Sequence, residues 1–325
     1  MQLIDPFGRH IEYLRLSVTD KCNYRCFYCL PKGSRHFEAP ENRLNFHEIE
    51  RVARVFSQLG VSRFRITGGE PLVRKGIVDL AARLSGLPGV HDLSLSTNAS
   101  LLLRYAKPLR LAGIGRINVS LDTLEPDRFH RLTGGNLGDV LAGLEAAAAA
   151  GFAPIKINMV ALKGQNDDEF EDMAAFCLER DFTLRFIETM PMGRPGCGLR
   201  GHYSDLRAVK AQLARKFELL PDIVTGGGPA RYFRVAGTKL RIGFITPISQ
   251  HFCVTCNRVR LSVAGMLYLC LGQNHRYDLQ PLLRNGADDD TLREAIVKAL
   301  TLKPKRHEFE DKPGQVRRPM SMTGG

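Results

Sequence analysis

The sequence predicts an α/β fold, an incomplete six-unit parallel barrel followed by a smaller α+β region. Three observations carry this expectation. Strand-like and helix-like segments alternate through the first two-thirds of the chain. Gly60, Gly113 and Gly151 fall just past helix-like stretches, where a left-handed C-cap is wanted. After about residue 190 the texture changes to a loop-like stretch and shorter strand-like pieces. Strand–helix alternation implies a parallel sheet with crossover helices. Six units rather than eight leave the barrel open, and barrels of this kind carry their chemistry at the C-terminal ends of the strands.

Strands are expected at 12–18, 61–66, 90–96, 116–121, 153–160 and 182–188, with helices between them at 45–59, 74–85, 99–112, 138–150 and 167–180. Asn45 before Phe46-His47-Glu48 supplies an N-cap and an acid in the first turn of the first helix. Met190-Pro191-Met192-Gly193-Arg194-Pro195-Gly196 reads as a loop. Beyond it come a helix at 203–217, strands at 230–235, 239–245, 258–263 and 266–270, and a last helix at 288–300. The segment from Lys303 to Gly325 is basic, rich in Pro and Gly and aperiodic, so an extended or mobile tail is expected. Two domains are expected, 1–200 and 201–325.

Composition narrows the function classes. Of 325 residues, 44% are apolar and 25% charged, which supports a packed core and excludes general disorder. No apolar run approaches the length of a membrane span. Met1-Gln2-Leu3-Ile4-Asp5-Pro6 lacks a basic start followed by an apolar stretch, so a cytoplasmic protein is expected. Lys plus Arg is 46 against 34 Asp plus Glu, a net charge of +12. That balance favours an anionic partner, whether phosphorylated ligand, nucleic acid or anionic lipid, and does not choose among them.

Six of the eight cysteines fall into two groups, Cys22, Cys26 and Cys29, then Cys253, Cys256 and Cys270, while Cys177 and Cys197 stand alone. In a reducing compartment, clustered thiols signal metal or redox chemistry rather than a disulfide framework. The first group comes directly after the first strand. Three thiolates there can hold three irons of a 4Fe–4S cube and leave the fourth iron open, as a catalytic centre requires. A zinc knuckle completed by His36 is the alternative, but the spacing is uncommon for zinc and Tyr28 sits between the last two thiols. The second group reads as a zinc site completed by His251 or His275, or as a second open cube. Arg258 and Arg260 share one face of the strand beside it. Two guanidiniums suit a structural zinc core poorly and grip phosphate well. The plain alternative is that both are solvated surface residues.

The run Cys22-Asn23-Tyr24-Arg25-Cys26-Phe27-Tyr28-Cys29 resembles the signature of the radical S-adenosylmethionine (radical SAM) superfamily, and Gly68-Gly69-Glu70-Pro71 is similar to its SAM-amino-binding turn. Both cysteine groups resemble those of the GTP 3′,8-cyclase family. So do Phe252-Cys253-Val254-Thr255-Cys256-Asn257-Arg258-Val259-Arg260-Leu261, Arg185-Phe186-Ile187-Glu188-Thr189-Met190-Pro191-Met192-Gly193 and the terminal Gly324-Gly325, and this second resemblance covers essentially the whole chain.

The resemblance implies a radical SAM barrel of the incomplete (βα)6, TIM-like kind, with a second iron–sulfur cluster in the C-terminal region. It implies two 4Fe–4S clusters and SAM as cofactors, with Cys22, Cys26 and Cys29 on one cluster and Cys253, Cys256 and Cys270 on the other. The implied substrate is GTP, lying between the clusters with its guanine toward the open iron of the second. The implied reaction is the first step of molybdenum cofactor biosynthesis. A 5′-deoxyadenosyl radical removes hydrogen from ribose C3′, and the sugar radical attacks guanine C8 to give (8S)-3′,8-cyclo-7,8-dihydroguanosine 5′-triphosphate.

Carried over by position, Arg15, Arg65, Ser96, Lys156, Arg258 and Arg260 contact GTP, while Tyr28, Gly69, Ser120 and Met190 line the SAM site. Gly324 and Gly325 thread toward the substrate. Implied partners are a reductant protein and the next enzyme, cyclic pyranopterin monophosphate synthase, with neither membrane nor nucleic acid involved and a monomer or homodimer expected. The chain departs from the family pattern at Ser96-Thr97-Asn98-Ala99, where Thr-Thr-Asn-Gly is common, at Gln165, where Val is usual, and at Thr189, where an aromatic is common.

Two other readings compete. A radical SAM enzyme modifying a peptide gives Arg258 and Arg260 no role. A zinc-dependent nucleic-acid-binding protein lacks interleaved aromatics or a recognition helix, and the chain has no Trp.

Overall fold

The computed structural model describes residues 2–30, 37–193, 199–224, 227–312 and 314–324. Its centre is a run of parallel strands in chain order: β1 Tyr13–Ser17, β2 Arg63–Thr67, β3 Asp92–Thr97, β4 Arg116–Ser120, β5 Ile155–Val160 and β6 Thr183–Ile187. Helices α1 Phe46–Gln58, α2 Ile77–Ser85, α3 Leu102–Leu111, α4 Pro126–Thr133, α5 Leu137–Ala149 and α6 Phe170–Glu179 make the crossovers. All neighbouring pairs from β1 to β6 are parallel. This is the expected incomplete barrel.

Local chemistry sets these elements. Asn45 accepts from the Glu48 N–H while the Glu48 carboxylate accepts from the Asn45 N–H, a complete capping box at the start of α1. Ile49, Val52, Ala53, Val55 and Phe56 then recur at helical spacing and are buried. Phe56, Phe64, Phe129, Phe170 and Phe186 are fully buried in one continuous core. Cys177 lies in that core as a small apolar residue of α6. Cys197 and His36 lie outside the described residues. Helix α4 is not among the expected elements. It is short and carries few apolar residues, and Glu125 caps it by accepting from Asp127 N–H and Arg128 N–H.

The C-terminal region does not stack on the barrel as a separate layer. Its strands extend the same sheet at both edges. At one edge, β9 Arg241–Ile245 runs parallel to β6, with β8 Arg231–Val235 and β7 Leu219–Asp222 further outward. At the other, β10 Arg258–Leu261 runs parallel to β1, with β11 Met266–Tyr268 and β12 Arg276–Asp278 beyond it. Strands β7 and β12 and the helix Gln280–Arg284 are also additions to the expected set. Helices Leu206–Leu213 and Asp289–Leu300 stand where helices are expected.

The tail differs most from expectation. Val316, Arg318, Ser321 and Thr323 are buried, and Met320–Thr323 forms a helical turn. Val316 and Met320 pack with Met190, Met192, Ile248, Leu271 and Phe309, so apolar contact holds a segment whose sequence shows no period. Gly325 lies outside the described residues.

Candidate active site

The parallel register builds the inner wall. Arg15 lies beside Arg260 on one side and Arg65 on the other, and Tyr13 lies beside Arg258 and Arg63. Further round, Asn118 neighbours Lys156, and Asn158 neighbours Arg185. Because side chains alternate along a strand, each row shares one face. That face lines a cavity shared by Tyr13, Arg15, Arg65, Arg185, Arg258 and Arg260, together with Cys253, Cys256 and Cys270. A smaller opening at the strand starts adds Arg63, Arg116 and Lys156.

These cations are buried and short of partners. Arg15, Lys156, Arg185, Arg258 and Arg260 are each under a tenth exposed. Arg15 Nε and Nη2 and the Nε atoms of Arg185, Arg258 and Arg260 find no hydrogen-bond partner among the described residues. Each such group costs about 1–3 kcal/mol until it finds one. Like charges on adjacent strands add repulsion. Burial, then Arg65 and Arg260, holds Arg15 well below its ordinary range. Burial lowers Arg185 and, with Arg258, Arg260 to about 10. Lys156 falls to about 7 through burial, then Arg185, Arg116 and Arg65. The wall therefore calls for an anion of several charges.

The first three thiols line a second cavity with Tyr28, Gly68, Gly69, Ser96, Asn98, Ser120, Thr189 and Met190. Burial pushes the Cys22 thiol up to about 11 and Cys29 to about 12, and raises Cys26 strongly. The Gly68-Gly69 turn presses directly on the cysteine loop. A Cβ on Gly68 would lie 2.3 Å from Thr19 O, and one on Gly69 would lie 2.3 Å from Lys21 O. The Gly69 N–H donates to Thr19 O and the Glu70 N–H to Lys21 O. Glu70, raised to about 7 by burial, accepts from the Leu72 and Asn98 N–H groups and the Thr97 hydroxyl. Tyr28 donates its hydroxyl hydrogen to Asp122, whose carboxyl burial raises to about 6.

In the second thiol group, Cys256 alone is shifted the other way. Burial pushes Cys256 up, but Lys303 and then Arg258 outweigh it, and the thiol falls to about 7. Lys303 Nζ lies 3.8 Å from Cys256 Sγ and donates to the carbonyls of Arg258 and Leu269. Arg9 donates to the Cys253 carbonyl. Burial raises Cys253 and Cys270.

Topology sets the two groups apart. Cys22 comes after the C-terminal end of β1, whereas Cys256 precedes the start of the parallel neighbour β10. A five-residue strand spans about 16 Å, so a nucleotide-sized ligand fits between the ends. The second group therefore sits at the end opposite the one where barrel chemistry is expected. The two cavities meet at Asn158, Ile187, Met190 and Met320, which line both.

The donor sets fit iron–sulfur clusters. All six thiols are free. Three of them line each cavity, Cys22, Cys26 and Cys29 in one and Cys253, Cys256 and Cys270 in the other, the number a cube takes when one iron stays open.

The structure therefore brings Arg15, Arg65, Arg258 and Arg260 to one cavity, and Tyr28, Gly69, Ser96 and Ser120 to the other, with Met190 on both. Ser96 thus faces the first thiol group rather than the arginine wall. Lys156 lies at the strand-start opening. Gly324 lies against the end of β2, where a Cβ would come 2.2 Å from Thr67 Cγ2. Sequence reasoning does not single out Arg63, Arg185 or Tyr13 for the wall, though strict alternation along β1, β2 and β6 points to all three. It also misses Lys303 and Arg318, which no pattern marks.

Comparison with known proteins agrees with this geometry. The radical SAM superfamily profile matches residues 16–177, and the profile described as Molybdenum Cofactor Synthesis C matches 182–309. The chain is 50% identical to GTP 3′,8-cyclase 1 of Pseudomonas aeruginosa, with 99% of each chain covered. It is 45% identical to the GTP 3′,8-cyclase of Hydrogenovibrio crunogenus, with all of both chains covered. In fold it is similar to the crystal structure of Streptococcus suis SuiB bound to S-adenosylmethionine. The TM-score is 0.66 at 16% identity, covering 97% of this chain and 78% of that one. Among the described residues no helix is long and apolar enough to cross a membrane. The arginine wall between two thiol groups, the two profiles and the full-length identity lead to one conclusion: the chain belongs to the GTP 3′,8-cyclase family of the radical SAM superfamily.

Proposed function

We propose that the protein binds GTP along the arginine wall and cyclises it between ribose C3′ and guanine C8, the first step of molybdenum cofactor biosynthesis. The carrying observation is the row of buried arginines with unpartnered N–H groups between two sets of three thiols. A purine nucleotide with a triphosphate supplies both the negative charge and the length this wall requires. A peptide substrate would leave these buried cations unpaired, so the likeness to SuiB speaks for the fold and not for its substrate.

Cys22, Cys26 and Cys29 would hold the SAM-binding cluster, and Cys253, Cys256 and Cys270 the second. When bound, the first cluster and SAM supply a 5′-deoxyadenosyl radical able to take hydrogen from ribose C3′. Tyr28, Gly69, Ser120 and Met190 would line SAM, with the Tyr28 ring held by its hydrogen bond to Asp122. Arg258 and Arg260, beside the second thiol group, would receive the guanine end. Arg15, Arg65, Lys156 and the newly identified Arg63 and Arg185 would hold the phosphates at charge-assisted hydrogen-bond distance. Ser96, which lines the first cavity, would meet the ribose. Gly324 and Gly325 would bring the tail to the same junction.

The test is anaerobic turnover with GTP, SAM and a strong reductant. The expected products are 5′-deoxyadenosine and a cyclised guanosine triphosphate, with iron near eight per chain for two cubes. Colourless protein carrying one or two zinc ions would overturn the proposal.

A further inference from the structure

We propose that Arg318 is a positioning residue that sets the register of the C-terminal tail, using the Cys270 loop as its seat. This rests on the proposed cyclase function, in which the tail serves cyclisation.

Arg318 is 9% exposed although it belongs to a tail segment, while its neighbour Arg317 is exposed. One terminal nitrogen donates to Gln273 O at 2.8 Å and to Asn274 Oδ1 at 3.2 Å, the other to Cys270 O at 2.9 Å and Leu271 O at 2.5 Å. Its guanidinium carbon lies 4.4 Å from the Tyr268 ring centroid. Such an array of acceptors with an aromatic floor matches a planar fork and not a point charge. Asn274 Nδ2 adds a bond to Gln315 O, and the Gly193 N–H donates to Val316 O.

The residues beyond Arg318 make register matter. Met320 lines both cavities. Ser321 lines the first cavity together with Cys29. Thr323 is fully buried, and Gly324 sits at φ +72 against Thr67 with no room for a Cβ. The tail thus runs from the second thiol group to the first. A slip of one residue moves its tip by about 3.3 Å in extended chain. It would also bring the Thr323 side chain to a place only glycine fills without strain. Gly324 and Gly325 cannot fix this position, having no side chains to hold. Arg318 can, because four acceptors of the loop that carries Cys270 hold it.

The experiment compares Arg318→Ala and Arg318→Lys with the parent enzyme, each with both clusters reconstituted. Amide hydrogen exchange over 316–324, iron content, cluster EPR, kcat and KM for GTP are read on each, with a deletion of the last two residues in parallel. Expected for Arg318→Ala is full iron, unchanged cluster EPR, unchanged KM and tail exchange faster by about tenfold or more. Its kcat falls by as much as about a hundredfold, the cost of a misplaced group. A synthetic peptide of residues 316–325 restores part of the rate, and Arg318→Lys lies between, since an ammonium cannot span the acceptors. Unchanged tail exchange in Arg318→Ala overturns the proposal. So does loss of half the iron in both variants, which would make Arg318 a strut of the cluster loop. If the deletion retains full activity, the tail's role in cyclisation fails, while exchange in Arg318→Ala still reports whether Arg318 anchors it.

Discussion

Lys156 is the residue in which charge and function meet most directly. Burial and the surrounding arginines lower it to about 7, so in the free protein it is half-protonated near neutrality. A bound triphosphate favours the charged form and raises its pKa. GTP binding therefore takes up a proton above pH 7 and none well below it. The contribution of Lys156 to affinity is then constant at low pH and falls by up to about tenfold per pH unit as pH rises above 7. Calorimetry of GTP binding across this range checks the slope. Lys156→Arg, which stays charged, should remove it, and an unchanged slope would assign the proton to another group. With Arg260 holding GTP as proposed, Arg260→Ala should remove a charge-assisted contact worth about 1.5–3 kcal/mol, a roughly tenfold to hundredfold loss of GTP affinity. SAM binding should not change, and equal weakening of both ligands would indicate misfolding.

Arg258 and Arg260 are legible because they alternate along one strand. Arg15 and Arg65 lie on other strands and are named by resemblance, since the register that brings the three strands onto one face is a tertiary property. Lys303 and Arg318 are not legible because most of their partners are backbone carbonyls distant in sequence, which no pattern encodes. Ala99 hides its conformation for a different reason. It stands in the left-handed region at φ 64, where the family pattern has glycine and where an alanine signals nothing.

At the scale of elements, the Gly68-Gly69-Glu70-Pro71 turn is a packing device as well as a cavity wall. Its two glycines let strand β2 lie against the backbone of the first cysteine loop. Gly69→Ala forces a methyl to 2.3 Å from Lys21 O, with Asp20 O also at 2.8 Å. Overpacking of this kind costs about 1–3 kcal/mol, and the cysteine loop has to move. We expect a lower melting temperature and strongly weakened SAM binding, with the second thiol group unaffected. Wild-type SAM affinity in this variant would contradict the close approach. The six barrel strands and their long helices are readable from period and caps. Helix α4 and strands β7 and β12 are not: α4 has only Phe129 and Leu132 as large apolar residues, β7 contains Pro221 and Asp222, and β12 is Arg276-Tyr277-Asp278, so none carries an apolar signal of its own. The tail defies its sequence because its order comes from tertiary contacts, the apolar packing of Val316 and Met320 and the hydrogen bonds of Arg318 among them, and not from local preference.

The whole molecule joins two thiol groups that lie far apart in sequence by laying β10 beside β1. Nothing in local pattern announces that pairing, since a parallel partner more than two hundred residues away leaves no trace in period or turn chemistry. Its consequence is that both groups share one wall yet draw their ligands from separate loops at opposite ends of it. Losing one cluster should therefore spare the other. On the proposed ligand assignment Cys26→Ala removes one holder of the first cluster, so iron should fall by about half and not to zero, and SAM cleavage should cease. Cys253→Ala should cost the same amount of iron but leave the SAM site intact, because Cys22, Cys26, Cys29, Gly69 and Tyr28 all lie at the far end. There 5′-deoxyadenosine formation persists, slowed or uncoupled, while the cyclised nucleotide disappears because the guanine end has lost its seat. Iron analysis, EPR and product chromatography on the two variants separate these outcomes. Normal cyclisation by Cys253→Ala would make the second group a structural support, and retained SAM cleavage by Cys26→Ala would remove that residue from the first ligand set.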